Sequence, residues 1–191
     1  MNYVVFDIET RNIFDDVGSN NPRDLDISVV GAYDSATNAY EAFFVEELPK
    51  LWQMIEKSDM LIGYNSDHFD IPLLAKYYHG DLSKIKSLDL LKEIRESFGR
   101  RMRLDQVAEG TLGVNKSGHG LQAITWWKTG QLEQLKKYCL DDVKITKKLF
   151  DYALKNNKLK FKEGGKNITI PLNTEHWLPT EKSGITYSLP F

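Results

Sequence analysis

"YVVFDIET", residues 3–10, is the stretch that sets the fold class. Its first four residues are aromatic and β-branched, a run too short for a helix and suited to a buried, pleated surface. It reads as a strand ending in Asp7-Ile8-Glu9. Strand side chains alternate with a period of two, so Asp7 and Glu9 share one face while Phe6 and Ile8 point the other way, into core. Taken alone, such a pair fits an exposed strand end better than a site.

Working outward, residues 11–26 are polar, carry Gly18, Asn20-Asn21 and Pro22, and read as a long loop. Ile27 to Tyr33 and Tyr40 to Val45 are strand-like around the turn-rich residues 34–38, an antiparallel hairpin. Leu48, Leu51, Trp52 and Ile55 follow at helical spacing, and Met60 to Gly63 is a second short apolar strand. An α/β fold follows, with a mixed sheet flanked by helices. In "YNSDHFDIPLL", residues 64–74, polar groups crowd the join between that strand and a helix expected from Phe69 to Tyr78. Pro72 is tolerable only in a first turn, which puts Asp70 at the helix start. Residues 88–98, 104–112, 121–127 and 131–154 read as further helices, the last with Leu132, Leu135, Cys139, Val143, Thr146, Leu149, Phe150 and Ala153 along one stripe. Residues 158–171 read as a hairpin turning at Gly164-Gly165. We divide the chain into residues 1–157 and a C-terminal hairpin and tail, 158–191, packed on or beside the same domain.

With 191 residues and 41% hydrophobic content, the chain supports one real core. A formal charge of −2 excludes a global basic field, so a nucleic-acid partner is held locally. The single cysteine, Cys139, excludes an internal disulfide or a multi-cysteine zinc knuckle and suits a reducing compartment. The start has no basic leader, and no apolar run approaches the ~18 residues of a membrane span. A soluble cytoplasmic protein without membrane contact is the expectation. His68, His79, His119 and His176 lack zinc-site spacing, and Gly118 and Gly120 do not open a Walker-type loop.

Asp142 lies one helical turn after Tyr138, and both flank the buried stripe of the last helix, with Asp141 turned roughly 100° away. Carboxylates buried side by side are costly unless cations compensate. A pair of Mg²⁺ or Mn²⁺ ions supplies that compensation, because hard divalent cations take oxygen ligands. Two such ions about 3.5–4 Å apart can hold the attacking and leaving oxygens of a phosphoryl displacement. Each acid alone has an ordinary explanation: a strand end, a helix-start carboxylate or an exposed helix acid paired with lysine. The ordered set carries the argument: D-x-E ending the first strand, N-x-x-x-F-D at a later strand-to-helix join, and Y-x-x-x-D in a late helix.

FDIET, GYNSDHFDIPLL and YCLDDVKIT together resemble the three motifs of the DEDD-superfamily 3′–5′ exonucleases, which have a ribonuclease H-like fold, and in particular their tyrosine-bearing subgroup. YC-x-x-D and RLDQVAEGTLGVNKSG are similar to segments of family B DNA polymerase proofreading domains. Likeness extends to stand-alone bacterial and phage ribonuclease H-like exonuclease proteins. It covers about residues 2–154, with a weaker echo up to Pro171. The resemblance implies a ribonuclease H-like mixed sheet, antiparallel in its first three strands with parallel strands beyond. It implies Asp7 as a ligand shared by two metals, Glu9 and Asp142 as ligands of the nucleophile-side metal, Asp70 as a ligand of the second, and Tyr138 as the residue orienting the attacking water. The histidine subgroup would carry its histidine where Lys137 stands.

Around this set, Asn65 reads as a contact near the nucleotide and the acids, or as a turn residue ahead of the helix. Phe69 reads as a wedge against the terminal base or, favoured, as a core anchor of its helix. Arg95, Arg100, Arg101, Arg103 and Lys116 are the one basic concentration near the expected substrate cleft, with Arg101, Arg103 and Lys116 candidates to track the phosphodiester backbone or, equally, part of a solvated helix end and loop whose charge Glu93, Glu96 and Asp105 partly cancel. For Trp126-Trp127, burial of at least one ring is favoured over base stacking. The expected activity is two-metal 3′–5′ exonucleolysis of a single-stranded or frayed end, DNA favoured over RNA, to nucleoside 5′-monophosphates, with a polymerase or helicase partner in trans. The competing expectations are a structure-specific endonuclease on the same fold and a non-catalytic nucleic-acid-binding module.

Overall fold

The computed structural model describes residues 1–114 and 120–178. Strand β1 (Tyr3–Thr10) lies at the centre of a five-stranded sheet of order β3-β2-β1-β4-β5. On one side it pairs antiparallel with β2 (Ile27–Asp34), which pairs antiparallel with β3 (Ala39–Phe43). On the other it pairs in parallel with β4 (Met60–Gly63), which pairs in parallel with β5 (Lys86–Asp89). The mixed sheet read from the sequence is thus present, with one strand more. At four residues β5 is too short to show a period of two, and its buried Leu88 and Asp89 run straight into a helix, so the sequence reads helix from residue 88.

Helices occupy both faces. The 11–26 loop contains a short helix, α1 (Phe14–Val17), and a 3-10 turn at Pro22–Asp24. Helix α2 (Leu48–Ile55) follows the hairpin, and α3 (Asp70–Leu74) follows β4. The helix expected to reach Tyr78 stops at Leu74, because Lys76 and Tyr77 switch to i→i−3 bonds on Leu73 and Leu74. Their side chains are drawn instead to the loop before β2: Lys76 Nζ donates to Asp26 Oδ1 at 2.8 Å, and Tyr77 hydroxyl accepts from Ile27 N at 3.2 Å. A tertiary contact overrides the helical pattern. Beyond these lie α4 (Leu90–Phe98), α5 (Leu104–Leu112), α6 (Gly120–Lys128) and the 25-residue α7 (Leu132–Asn156).

The alternation of β1 sorts two cores. Val4, Phe6 and Ile8 join Leu48, Leu51, Ile55, Leu73 and Leu74 on the α2 and α3 face. Val5 faces the other way, among Ile94, Val107, Val143, Leu149 and Phe150 of α4, α5 and α7. The hairpin of β6 (Lys158–Glu163) and β7 (Lys166–Pro171) adds Leu159, Phe161 and Ile170 to that second core. Trp177 closes it, stacked on Phe150 with ring centroids 5.9 Å apart and donating Nε1–H to Glu93 at 2.9 Å. Residues 158–178 therefore complete a core the first 157 residues share. Among the described residues, no helix is long and apolar enough to cross a membrane.

Candidate active site

The site lies at the carboxyl ends of β1 and β4, where two neighbouring parallel strands diverge. Pairing of β1 with β4 ends at Val5–Ile62, and the chain after Gly63 turns away. Ile8, beyond that pairing, donates its backbone N–H to Asp70 Oδ1 at 3.0 Å, so the second acid is fastened between the two first-motif acids. From the other face comes α7. Gly31 is the β2 partner of Asp7, and a Cβ there would stand 3.0 Å from Cys139 Sγ. Lacking one, it lets α7 lie close on the sheet. The buried Cys139 thiol then donates toward the Asp7 carbonyl at 3.4 Å and Asp7 Oδ2 at 3.7 Å. Tyr138 and Asp142, on either side of Cys139 along α7, are carried to the same place.

Carboxylate oxygens of Asp7, Glu9 and Asp142 consequently lie within 4.8 Å of one another. Asp142 and Glu9 are only 3% and 9% exposed, and Tyr138 and Asp70 are buried as well, Asp70 being tied to β1 through Ile8 N and not one of the three clustered carboxylates. Burial, reinforced by the charge of Asp89, pushes the Asp70 carboxyl up to about 7, against the opposing Ile8 hydrogen bond. Burial also raises the Cys139 thiol, as do Asp7, Glu9 and Asp142 in turn, so it remains a protonated donor. Three carboxylates this close offer hard oxygen ligands that could hold a divalent cation.

The surrounding residues divide. Asn65 adopts a left-handed φ of 67°, tolerable for asparagine, and its Oδ1 accepts from Arg101 Nη2 at 2.8 Å. Arg101 is thus brought to the second-motif loop. Arg100 instead pairs with Glu163 of the hairpin at 2.7 Å, and Arg103 pairs with Asp105 at 3.1 Å while its backbone opens α5. Lys116 and His119 lie outside the described residues. Phe69 packs edge-on against Phe14, ring centroids 6.1 Å apart, as a core anchor would. It also lines an open apolar pocket of about 440 Å³ beside Glu9, with Ile8, Phe14, Leu121 and Ile124. Asp67 bonds Ser87 Oγ at 2.6 Å and Lys92 Nζ at 3.2 Å, and His68 is exposed.

Three features escape the sequence reading. Asp89 stands behind the second-motif loop, signalled only by an aspartate ending an apolar run ahead of a helix, the pattern also seen at Asp70. Trp126 packs edge-on against Tyr138 at 5.6 Å, and neither tryptophan of the pair is fully buried. Arg11 stacks over Trp127 at 4.4 Å, joining the end of β1 to α6. No local pattern foretells the last two, because they depend on where α6 crosses β1.

Residues 4–154 match the profile of the RNase H superfamily. The chain belongs to that superfamily. Among curated proteins, the chain is 27% identical over 151 residues to DNA polymerase 2 of Aeropyrum pernix, a match covering 63% of this chain and 18% of the polymerase. Its fold is similar to that of the family B DNA polymerase of Pyrobaculum calidifontis, with a TM-score of 0.62 and 22% identity, over 81% of this chain and 24% of that one. It is also similar to RNase D of Trypanosoma brucei, with a TM-score of 0.55 and 19% identity, over 78% and 56% of the two chains. This RNase H superfamily chain therefore spans under a fifth of the polymerase it matches in sequence, and the structural likenesses speak to the fold.

Proposed function

We propose that the chain is a two-metal 3′–5′ exonuclease of the DEDD type with a catalytic tyrosine. Its substrate is the 3′ end of single-stranded or frayed nucleic acid, DNA in preference to RNA. The observation that carries this reading is the convergence of Asp7, Glu9 and Asp142, with Asp70 fastened to the same strand and Tyr138 one helical turn from Asp142. Support for nuclease chemistry comes from the superfamily and from relatives that include polymerases and an RNase D. The preference for DNA rests on the polymerase likenesses, and a polymerase or helicase partner in trans and a cytoplasmic location belong to the same proposal.

Asp7, Glu9 and Asp142 would hold one divalent cation and Asp7 with Asp70 the second. When bound, such ions neutralise the carboxylates and stabilise charge on the attacking and leaving oxygens. The apolar pocket lined by Phe69 and Leu121 takes the terminal base by stacking and burial. Arg101, held by Asn65, meets a backbone phosphate, and Arg103 and, by its sequence alone, Lys116 are the further candidates for such contacts. The Tyr138 hydroxyl orients the attacking water. A P–O bond forms to that water as the bond to the penultimate 3′ oxygen breaks, leaving a new 3′ hydroxyl and a nucleoside 5′-monophosphate.

Incubating purified protein with matched 5′-labelled DNA and RNA oligonucleotides in Mg²⁺ or Mn²⁺ tests this. Stepwise laddering abolished by EDTA and by Asp7→Ala is expected. Absence of laddering on every substrate, or full activity in Asp7→Ala, overturns the reading; cleavage of circular single-stranded DNA favours an endonuclease instead. Tyr138→Phe keeps the ring against Trp126 but removes the hydroxyl, and should slow single-turnover hydrolysis by roughly 10²-fold, the scale of one positioned proton-handling group. An unchanged rate removes Tyr138 from the chemistry.

A further inference from the structure

We propose that Asp89 is a positioning residue that sets the register of the second-motif loop and thereby delivers Asp70 to the site. The inference rests on the nuclease reading above.

Asp89 ends β5 and is only 4% exposed. Such a carboxylate persists in a core only when hydrogen bonds satisfy it. Among the described residues its four hydrogen-bond partners are backbone N–H groups, and they come from two separate segments. Oδ1 accepts from Leu91 N at 2.9 Å and Lys92 N at 3.4 Å, which caps α4. The same oxygen accepts from Asn65 N at 2.7 Å, and Oδ2 accepts from Asp67 N at 3.1 Å.

Capping explains only half of this arrangement. The bonds to residues 65 and 67 lie across the strand end, on the turn that follows β4. There Asn65 holds its left-handed backbone, and the turn closes on itself: Phe69 N donates to the Asn65 carbonyl at 3.0 Å and Ile71 N to the Ser66 carbonyl at 2.9 Å. Those bonds start α3 at Asp70, whose Oδ1 then receives Ile8 N. The sequence of contacts runs from Asp89 through the turn to Asp70 and on to β1 between Asp7 and Glu9. Arg101 joins it at the Asn65 side chain, so the phosphate contact shares the anchor. Metal sites depend on such supporting bonds, whose loss costs about 10–100-fold in affinity or activity. Asp89 reaches its effect through Asn65 and Asp67 and touches no reacting atom.

Asp89→Ser separates the two roles. Serine caps a helix about as well as aspartate, but its one short oxygen cannot serve both segments. Asp89→Asn, isosteric, can keep the three bonds made by Oδ1 and loses the one that Oδ2 accepts from Asp67 N, and it accompanies serine as the milder variant and the one most certain to fold. Expected for both is a melting temperature close to wild type and kcat lowered by roughly 10–100-fold. The Mg²⁺ or Mn²⁺ concentration for half-maximal activity should rise, and KM with it, because the Arg101 phosphate contact shares the anchor. Amide hydrogen exchange should quicken at Asp67 in both variants and at Asn65 in Asp89→Ser, while residues 90–98 keep their protection. Asp81→Ser, which replaces another capping aspartate away from the site, should change none of these. The proposal is overturned if turnover and exchange in residues 64–74 match wild type, or if the loop loosens without loss of turnover. It is equally overturned if faster exchange is confined to α4. Wild-type protein inactive on all oligonucleotides overturns the nuclease reading alone, and hydrogen exchange then decides the clamp independently.

Discussion

Asp70→Asn is expected to abolish hydrolysis and, in metal-free protein at pH 8, to raise stability. The catalytic loss should be at least about 10²–10³-fold, the scale of removing one preorganised electrostatic contact. The gain in stability follows from burial. The Asp70 carboxyl titrates near 7 in the fold against 3.8 when free. Below pH 3.8 it is protonated in both states and contributes nothing. Between about 4 and 7 the unfolded chain releases a proton that the folded chain retains, so stability falls as pH rises, and above 7 the whole penalty stands. That penalty is on the order of a few kcal/mol. Asparagine is neutral and keeps the oxygen that accepts from Ile8 N. Thermal melts in EDTA at pH 4.5 and pH 8 check the sign: the wild type should lose more than the variant, and Mn²⁺ should restore the wild type selectively. A variant less stable than wild type at pH 8 would show that Asp70 is there for structure. Asp67→Asn, by contrast, should change turnover little, since its carboxylate is spent on Ser87 and a half-exposed Lys92.

The largest loss of stability is expected at Gly110, in the last turn of α5. Helix propensity alone favours alanine there by about 1 kcal/mol. Sterics decide otherwise: a Cβ would stand 2.4 Å from Phe161 Cα and 2.5 Å from its carbonyl carbon. These are backbone atoms of β6, which cannot rotate aside as a side chain would. Gly110→Val should therefore push the hairpin off α5 and cost about 3 kcal/mol or more, the upper range of overpacking. For a chain of this size that lowers the melting temperature by roughly 10 °C. Hydrogen exchange should quicken first in residues 158–171, where Leu159, Phe161 and Ile170 leave the shared core. An unchanged melting temperature would mean that β6 sits further from α5.

Periodicity within single elements was readable without a structure. The two faces of β1, the apolar stripe of α7 and the turn at Gly164-Gly165 are local consequences of side-chain spacing, and each is found where the pattern places it. Asp7 with Glu9, and Tyr138 with Asp142, could be paired for the same reason, because D-x-E on a strand and Y-x-x-x-D on a helix each fix a face; Asp70 was placed by the helix start that Pro72 marks, and the set as a whole by its resemblance to the exonuclease motifs. Elements shorter than a period behave otherwise. β5 is an edge strand of four residues with only Leu88 and Asp89 buried, and α3 stops early because Lys76 and Tyr77 find partners near Asp26.

By itself, then, the sequence determined the faces: which side chains leave each strand and helix together, and hence which acids are candidates. Only the tertiary structure decided their distances and supports. Gly31 admits Cys139 and with it Asp142, Ile8 N captures Asp70, and Asp89 takes the amides of Asn65 and Asp67. The physical reason is range. Side-chain direction is set within one or two turns of chain, whereas a buried carboxylate must find its hydrogen-bond donors wherever packing brings them, here 62 residues away for Asp70 and 24 for Asp89.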